Sequence, residues 1–150
     1  MTLAPPASPP APPQPHQSFR FDLPCGDTAP RIARTITGEL LALLGVAELA
    51  DDVRVLVSEL VTNVHLHTET AVVRLDVAVH PASVRVAVWD DAPRSRLLSL
   101  PALVDDGSGR GLLLVEALAS RWGIYRPNAE HRVRKGVWFA LDRARKGDVS

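Results

Sequence analysis

Residues 59–67 read Glu-Leu-Val-Thr-Asn-Val-His-Leu-His, which places Glu59, Asn63 and His67 four positions apart. On a helix that spacing stacks side chains along one edge. The apolar residues Val53, Leu56, Val57, Leu60, Val61 and Val64 recur at i, i+3 and i+4, so the polar row runs beside the buried stripe rather than opposite to it. A single polar residue on the shoulder of such a helix is ordinarily a solvated edge. A carboxylate, an amide and an imidazole in register, all half out of water, are costly unless something engages them. A divalent cation with a chain of phosphates would do so. The Asn63 amide oxygen suits Mg2+, which takes few protein ligands and completes its shell with phosphate oxygens and water.

A second element lies downstream. Asp105-Asp106-Gly107-Ser108-Gly109-Arg110-Gly111 runs directly into the helical stretch Leu112-Leu113-Leu114-Val115-Glu116-Ala117-Leu118-Ala119. Glycines at alternating positions leave backbone N–H groups uncovered, and with the positive end of the following helix they form an anion site. The spacing matches neither G-x-G-x-x-G nor the Lys-Ser/Thr ending of a P-loop.

The chain has 150 residues, is 46% hydrophobic and carries a formal net charge of zero. That is enough material for one core and too little for a second domain. A neutral balance argues against a broad phosphate-tracking surface, so nucleic acid is not an expected partner. The longest apolar runs, residues 40–44 and 112–115, are far too short to cross a bilayer. No membrane association is expected. One cysteine, Cys25, rules out an internal disulfide and points to a reducing cytoplasm. The first 17 residues have neither the basic nor the apolar region of a signal peptide, and seven of the thirteen prolines fall before position 16. Residues 1–17 are therefore expected to be a disordered or polyproline-like tail. A folded unit over residues 18–143 and a short polar tail over 144–150 complete the expected organisation.

Within the folded unit, Phe19, Phe21 and Leu23 alternate with Arg20 and Asp22, the period of an edge strand. Asp27 or Thr28 can cap a helix with Pro30 in its first turn, and Ile32, Ile36, Leu40 and Leu43 supply an apolar stripe up to Gly45. A second helix over about 48–67 carries the polar row. Two alternating segments, residues 73–79 and 84–88, read as a hairpin with one buried face, and Asp90 follows the second strand. Residues 92–106 show no period and hold Pro93 and Pro101, a length that fits a lid carrying Arg94 and Arg96. The glycine turn and its helix come next, then strands near 122–125 and 137–141 with a turn at Pro127-Asn128. This order favours an α+β two-layer sandwich, a mostly antiparallel sheet covered by helices on one face.

The helix with Glu59-x-x-x-Asn63-x-x-x-His67, the strand ending at Asp90, and the long loop closing in Gly107-x-Gly109-Arg110-Gly111-Leu112 resemble, in order, the three nucleotide-binding boxes of one ATPase superfamily. That superfamily is shared by gyrase, a heat-shock chaperone, sensor histidine kinases and mismatch-repair proteins. The phrase Val57-Ser58-Glu59-Leu60-Val61-Thr62-Asn63 is most similar to the anti-sigma-factor serine kinases of bacteria. The resemblance spans about residues 19–141 and implies a Bergerat-type ATP-binding fold using ATP and Mg2+. It implies that Asn63 coordinates Mg2+ and that Asp90 accepts a hydrogen bond from the adenine amino group. Gly107, Gly109, Arg110, Gly111 and Leu112 then hold the phosphates, and Glu59 is the general base. His67, one turn beyond the metal position, is the further candidate for a phosphate contact. His65 is two residues from His67 and points elsewhere, so a two-histidine metal pair at i, i+4 is not formed, and His65 reads as surface.

Two departures from the superfamily pattern stand out. Asp90 is followed by Asp91-Ala92-Pro93-Arg94 rather than by glycines, and Lys135-Gly136-Val137 stands where many relatives place a threonine before the last strand. The expected function is an ATP-dependent serine/threonine kinase that binds a sigma factor and phosphorylates its anti-anti-sigma antagonist. The alternative, which the departures favour, is a module that sequesters a partner without phosphoryl transfer. A homodimer is the expected assembly, by resemblance to relatives that pair through surfaces away from the nucleotide.

Overall fold

The computed structural model describes residues 16–91, 110–125 and 135–144, with residues 110–112 described by backbone alone. In chain order come strand β1 (Gln17–Pro24), helix α1 (Ala29–Leu43), a 3-10 turn (Ala47–Leu49) and helix α2 (Ala50–His67). Strands β2 (Val72–Val79) and β3 (Ser83–Asp90), helix α3 (Arg110–Leu118), and strands β4 (Arg121–Tyr125) and β5 (Lys135–Asp142) follow. The strands form one sheet in the order β1-β2-β3-β5-β4, and every neighbouring pair is antiparallel. The architecture is α+β, as the residue pattern implied. The tail, the lid segment with Arg94 and Arg96, the turn at Pro127-Asn128 and residues 145–150 lie outside the described residues.

Strand alternation sorts the sheet into two faces. Leu75, Val77, Val84, Val86, Val88, Val137, Phe139 and Leu141 point inward and are buried, as period-2 patterning requires when one face meets a core. Against them α2 sets Val53, Leu56, Val57, Leu60, Val61 and Val64, each at most 1% exposed. The apolar stripe of α2 is therefore the one expected. That of α1 is displaced: Ile32 is 41% and Leu43 82% exposed, while Ala29, Ala33, Thr37, Gly38 and Leu41 form its buried side. Small side chains let α1 approach α2 closely, and Ile36 and Leu40 pack at the margin. The Thr37 hydroxyl is accommodated by donating to the Ala33 carbonyl at 2.8 Å.

Both ends of α1 have clear causes. Thr28 occupies the N-cap position without a side-chain cap bond, and Pro30 stands in the first turn. At the other end Gly45 has φ +77°, the Gly45 N–H donates to Ala42 and the Val46 N–H donates to Leu41. These are the two bonds of a Schellman cap, and buried Val46 and Leu41 supply its apolar contact. Asp27, the other candidate cap, instead pairs with His65 at 2.8 Å. His65 is thus half-buried and ties the end of α2 to the start of α1, rather than lying free on the surface as its position suggested. Among the described residues no helix is long and apolar enough to cross a membrane.

Candidate nucleotide site

Helix α2 delivers the polar row. Glu59 is half-buried, Asn63 is 1% exposed and His67 is half-buried near the helix end. The Asn63 side chain is anomalous, because among the described residues neither its Nδ2 nor its Oδ1 has a hydrogen-bond partner. Buried polar groups are nearly always paired, and an orphaned amide costs about 1–3 kcal/mol. An amide oxygen without a protein partner is a fitting ligand for Mg2+, which needs few protein atoms when phosphates and water complete its shell. No group of three or more His, Cys, Asp or Glu converges among the described residues.

The loop after α2 is fixed by threonines. The Thr68 hydroxyl donates to the Val64 carbonyl at 2.6 Å, lies 2.6 Å from the Thr70 hydroxyl and accepts the Thr70 N–H at 3.1 Å. This network closes the last turn of α2 and locks the path into β2. Thr70 is itself buried. The Ala71 N–H then donates to Asp91 at 3.2 Å, while the Ala71 carbonyl accepts the Cys25 N–H at 2.9 Å. The exits of α2 and β3 are thereby joined.

Asp90 ends β3 on the inward face and is fully buried. Its cross-strand neighbour is Lys135. Gly136 pairs with Trp89 on the outward face, so the missing threonine hydroxyl expected at position 136 would have faced away from Asp90. Lys135 is the position beside Asp90, a relationship invisible until strand register is known. Cys25 is partly buried, and burial followed by the charge of Asp91 pushes its thiol above the usual range. That is the behaviour of a packing residue, not a nucleophile.

Arg110 and Gly111 open α3, whose first-turn N–H groups have no partner within the helix. Helix α2 packs against both β3 and α3. The Asn63 helix is therefore the common neighbour of the Asp90 strand and of the helix behind the glycine loop. Gly107, Gly109 and the side chains of Arg110 and Leu112 lie outside the described residues.

A family model for the histidine kinase-like ATPase domain matches residues 27–135. The chain belongs to this family. The match runs from the start of α1 to the start of β5, so it includes the polar row of α2, Asp90 and the α3 opening and leaves β1 outside. An uncharacterized protein of Streptomyces coelicolor is 46% identical over 65 residues, covering 43% of this chain and 61% of that protein. Membership in the histidine kinase-like ATPase family implies an ATP site, usually served by Mg2+, and the buried amide of Asn63 is the feature of this chain that fits it.

Proposed function

We propose that this protein is an ATP- and Mg2+-binding regulator of the anti-sigma type, a serine/threonine kinase that phosphorylates an anti-anti-sigma partner and so controls a sigma factor. The observation that carries the reading is the orphaned amide of Asn63, one helical turn from the half-buried carboxylate of Glu59, within a histidine kinase-like ATPase domain.

Each residue has a defined task under this reading. Asn63 would hold the metal through Oδ1, and Asp90 accepts a hydrogen bond from the adenine amino group, which fixes the base and thereby the direction of the phosphate chain. The α3 N-terminus faces phosphate charge with its free N–H groups, and His67 flanks the same chain. When bound there, Mg2+ would supply neutralisation of phosphate charge. Glu59 accepts the proton of a partner serine or threonine hydroxyl as its oxygen bonds to the γ-phosphorus and the bond to the β-phosphate oxygen breaks, leaving ADP.

Calorimetric titration with ATP and Mg2+, followed by transfer of labelled phosphate to an anti-anti-sigma protein, tests the proposal. Glu59→Gln should retain nucleotide and lose transfer, and Asn63→Ala should lose Mg2+-dependent binding. Nucleotide binding without transfer to any partner, or tight partner capture with no nucleotide bound, would leave the sequestering module as the better account.

A further inference from the structure

The sheet face opposite the helices carries a trough of about 410 Å3. Ala78 and Ala87 form its floor, Ser18 and Arg20 line the β1 side, and Arg85, Trp89 and Tyr125 line the other. Trp89 and Tyr125 stack with ring centroids 4.6 Å apart. Among the described residues nothing covers this face. We infer that the trough is filled by the proline-rich segment of the same chain, residues 4–15, lying along it as a polyproline helix.

Three observations select that occupant. First, residues 1–15 contain seven prolines and no Lys, Arg, Asp or Glu. Proline-rich segments dock into grooves walled by aromatic rings because they are already extended and lose little entropy on binding. Second, the charged groups around the trough are already paired. Arg20 bonds Asp76 at 2.8 Å, the Trp89 indole N–H donates to Asp76 at 3.0 Å, and Arg85 bonds the Tyr125 hydroxyl while lying 4.1 Å from the centroid of the Trp138 ring. A neutral apolar occupant leaves these pairs intact.

Third, the chain enters at the right place. His16 stacks on His80, ring centroids 4.7 Å apart, beside the end of the trough where Ser18, Ala78 and Arg85 stand. The trough runs along β3 from Arg85 to Trp89, about 13 Å at ~3.3 Å per residue. Residues 4–15 span about 37 Å at ~3.1 Å per residue as a polyproline helix. Five residues fill the trough, and the remainder covers the turn onto the outer face.

The test uses the full chain and a variant with Pro9, Pro10, Pro12 and Pro13 replaced by Ser. Nuclear magnetic resonance reads the ring signals of Tyr125, the one tyrosine of the sequence, and the indole signals of Trp89 and Trp122. Proline replacement should shift Tyr125 and Trp89 and leave Trp122, which packs on the inner core, in place. A synthetic peptide of residues 4–15 at millimolar concentration should restore the parent positions in the variant and leave the parent spectrum unchanged. Unmoved Tyr125 and Trp89 signals would overturn the inference. So would signals that move with protein concentration while light scattering shows a doubled mass, since the face would then belong to a second copy.

Discussion

The indole of Trp89 occupies the space above Gly136: a Cβ at position 136 would come within 2.8 Å of the ring. The two residues are direct cross-strand partners on β3 and β5, and the tryptophan covers the bare backbone of its neighbour. The same arrangement recurs on β4, where a Cβ on Gly123 would meet the Trp138 indole at 2.6 Å. Large and small residues thus alternate across the outer face, a form of cross-strand complementarity.

Gly136→Thr, which adds the hydroxyl the resemblance leads one to expect there, is therefore expected to destabilise the fold by about 1–3 kcal/mol through overpacking. It should leave nucleotide affinity no better, because the position faces away from Asp90. Chemical denaturation gives the stability change and ATP titration the affinity.

Asn63→Leu is expected to act in opposite directions on stability and function. Removing a buried amide with no partner should stabilise the nucleotide-free protein by about 1 kcal/mol or more, seen as a rise of several degrees in Tm. Mg2+-dependent ATP binding should vanish. Thermal melts with and without Mg-ATP separate the two effects, since the parent should gain stability from the ligand and the variant should not.

Asp90→Asn replaces a charged acceptor by a neutral one of the same shape. Hydrogen bonds to charged groups are worth about 1 kcal/mol more than neutral ones, so ATP affinity should fall by about 5-fold. The preference for ATP over GTP should narrow in parallel competition assays.

His80 titrates below the ordinary histidine range, chiefly through burial and then through the charges of His16 and Arg85. Above about pH 6.5 the ring is neutral in both folded and unfolded chains and contributes no slope. As pH falls below 6.5 the unfolded chain takes up the proton first, so stability drops until the folded-state pKa is passed. Melting temperature followed from pH 7.5 to 5.0 should fall less steeply in His80→Gln than in the parent.

Much of this was legible in the residue pattern, and the exceptions share a physical origin. The stripe of α2 and the β2–β3 hairpin follow from periodicity, because each faces a single partner surface. Helix α1 misled because Ile32 and Leu43 look like core residues, whereas the helix packs through Ala33 and Gly38, and closeness of approach leaves no mark in hydropathy. Glu59 and Asn63 could be nominated from type and spacing, and Asp90 from the resemblance to the ATPase superfamily. The orphaning of the Asn63 amide, the Asp27–His65 pair and the Thr68–Thr70 lock could not, since each depends on where distant segments meet. The separation of Gly136 from Asp90 required strand register.

Helix α3 is moored lightly. Val115 is its one fully buried side chain among those described; Leu114 and Leu118 lean on the core, and Leu113 is 55% exposed. Detaching a single valine costs about 1.5–3 kcal/mol, well below the global stability of a typical domain. Val115→Ala should therefore loosen the wall behind the glycine loop before the sheet or α2, with amide exchange in α3 rising ahead of exchange in its neighbours.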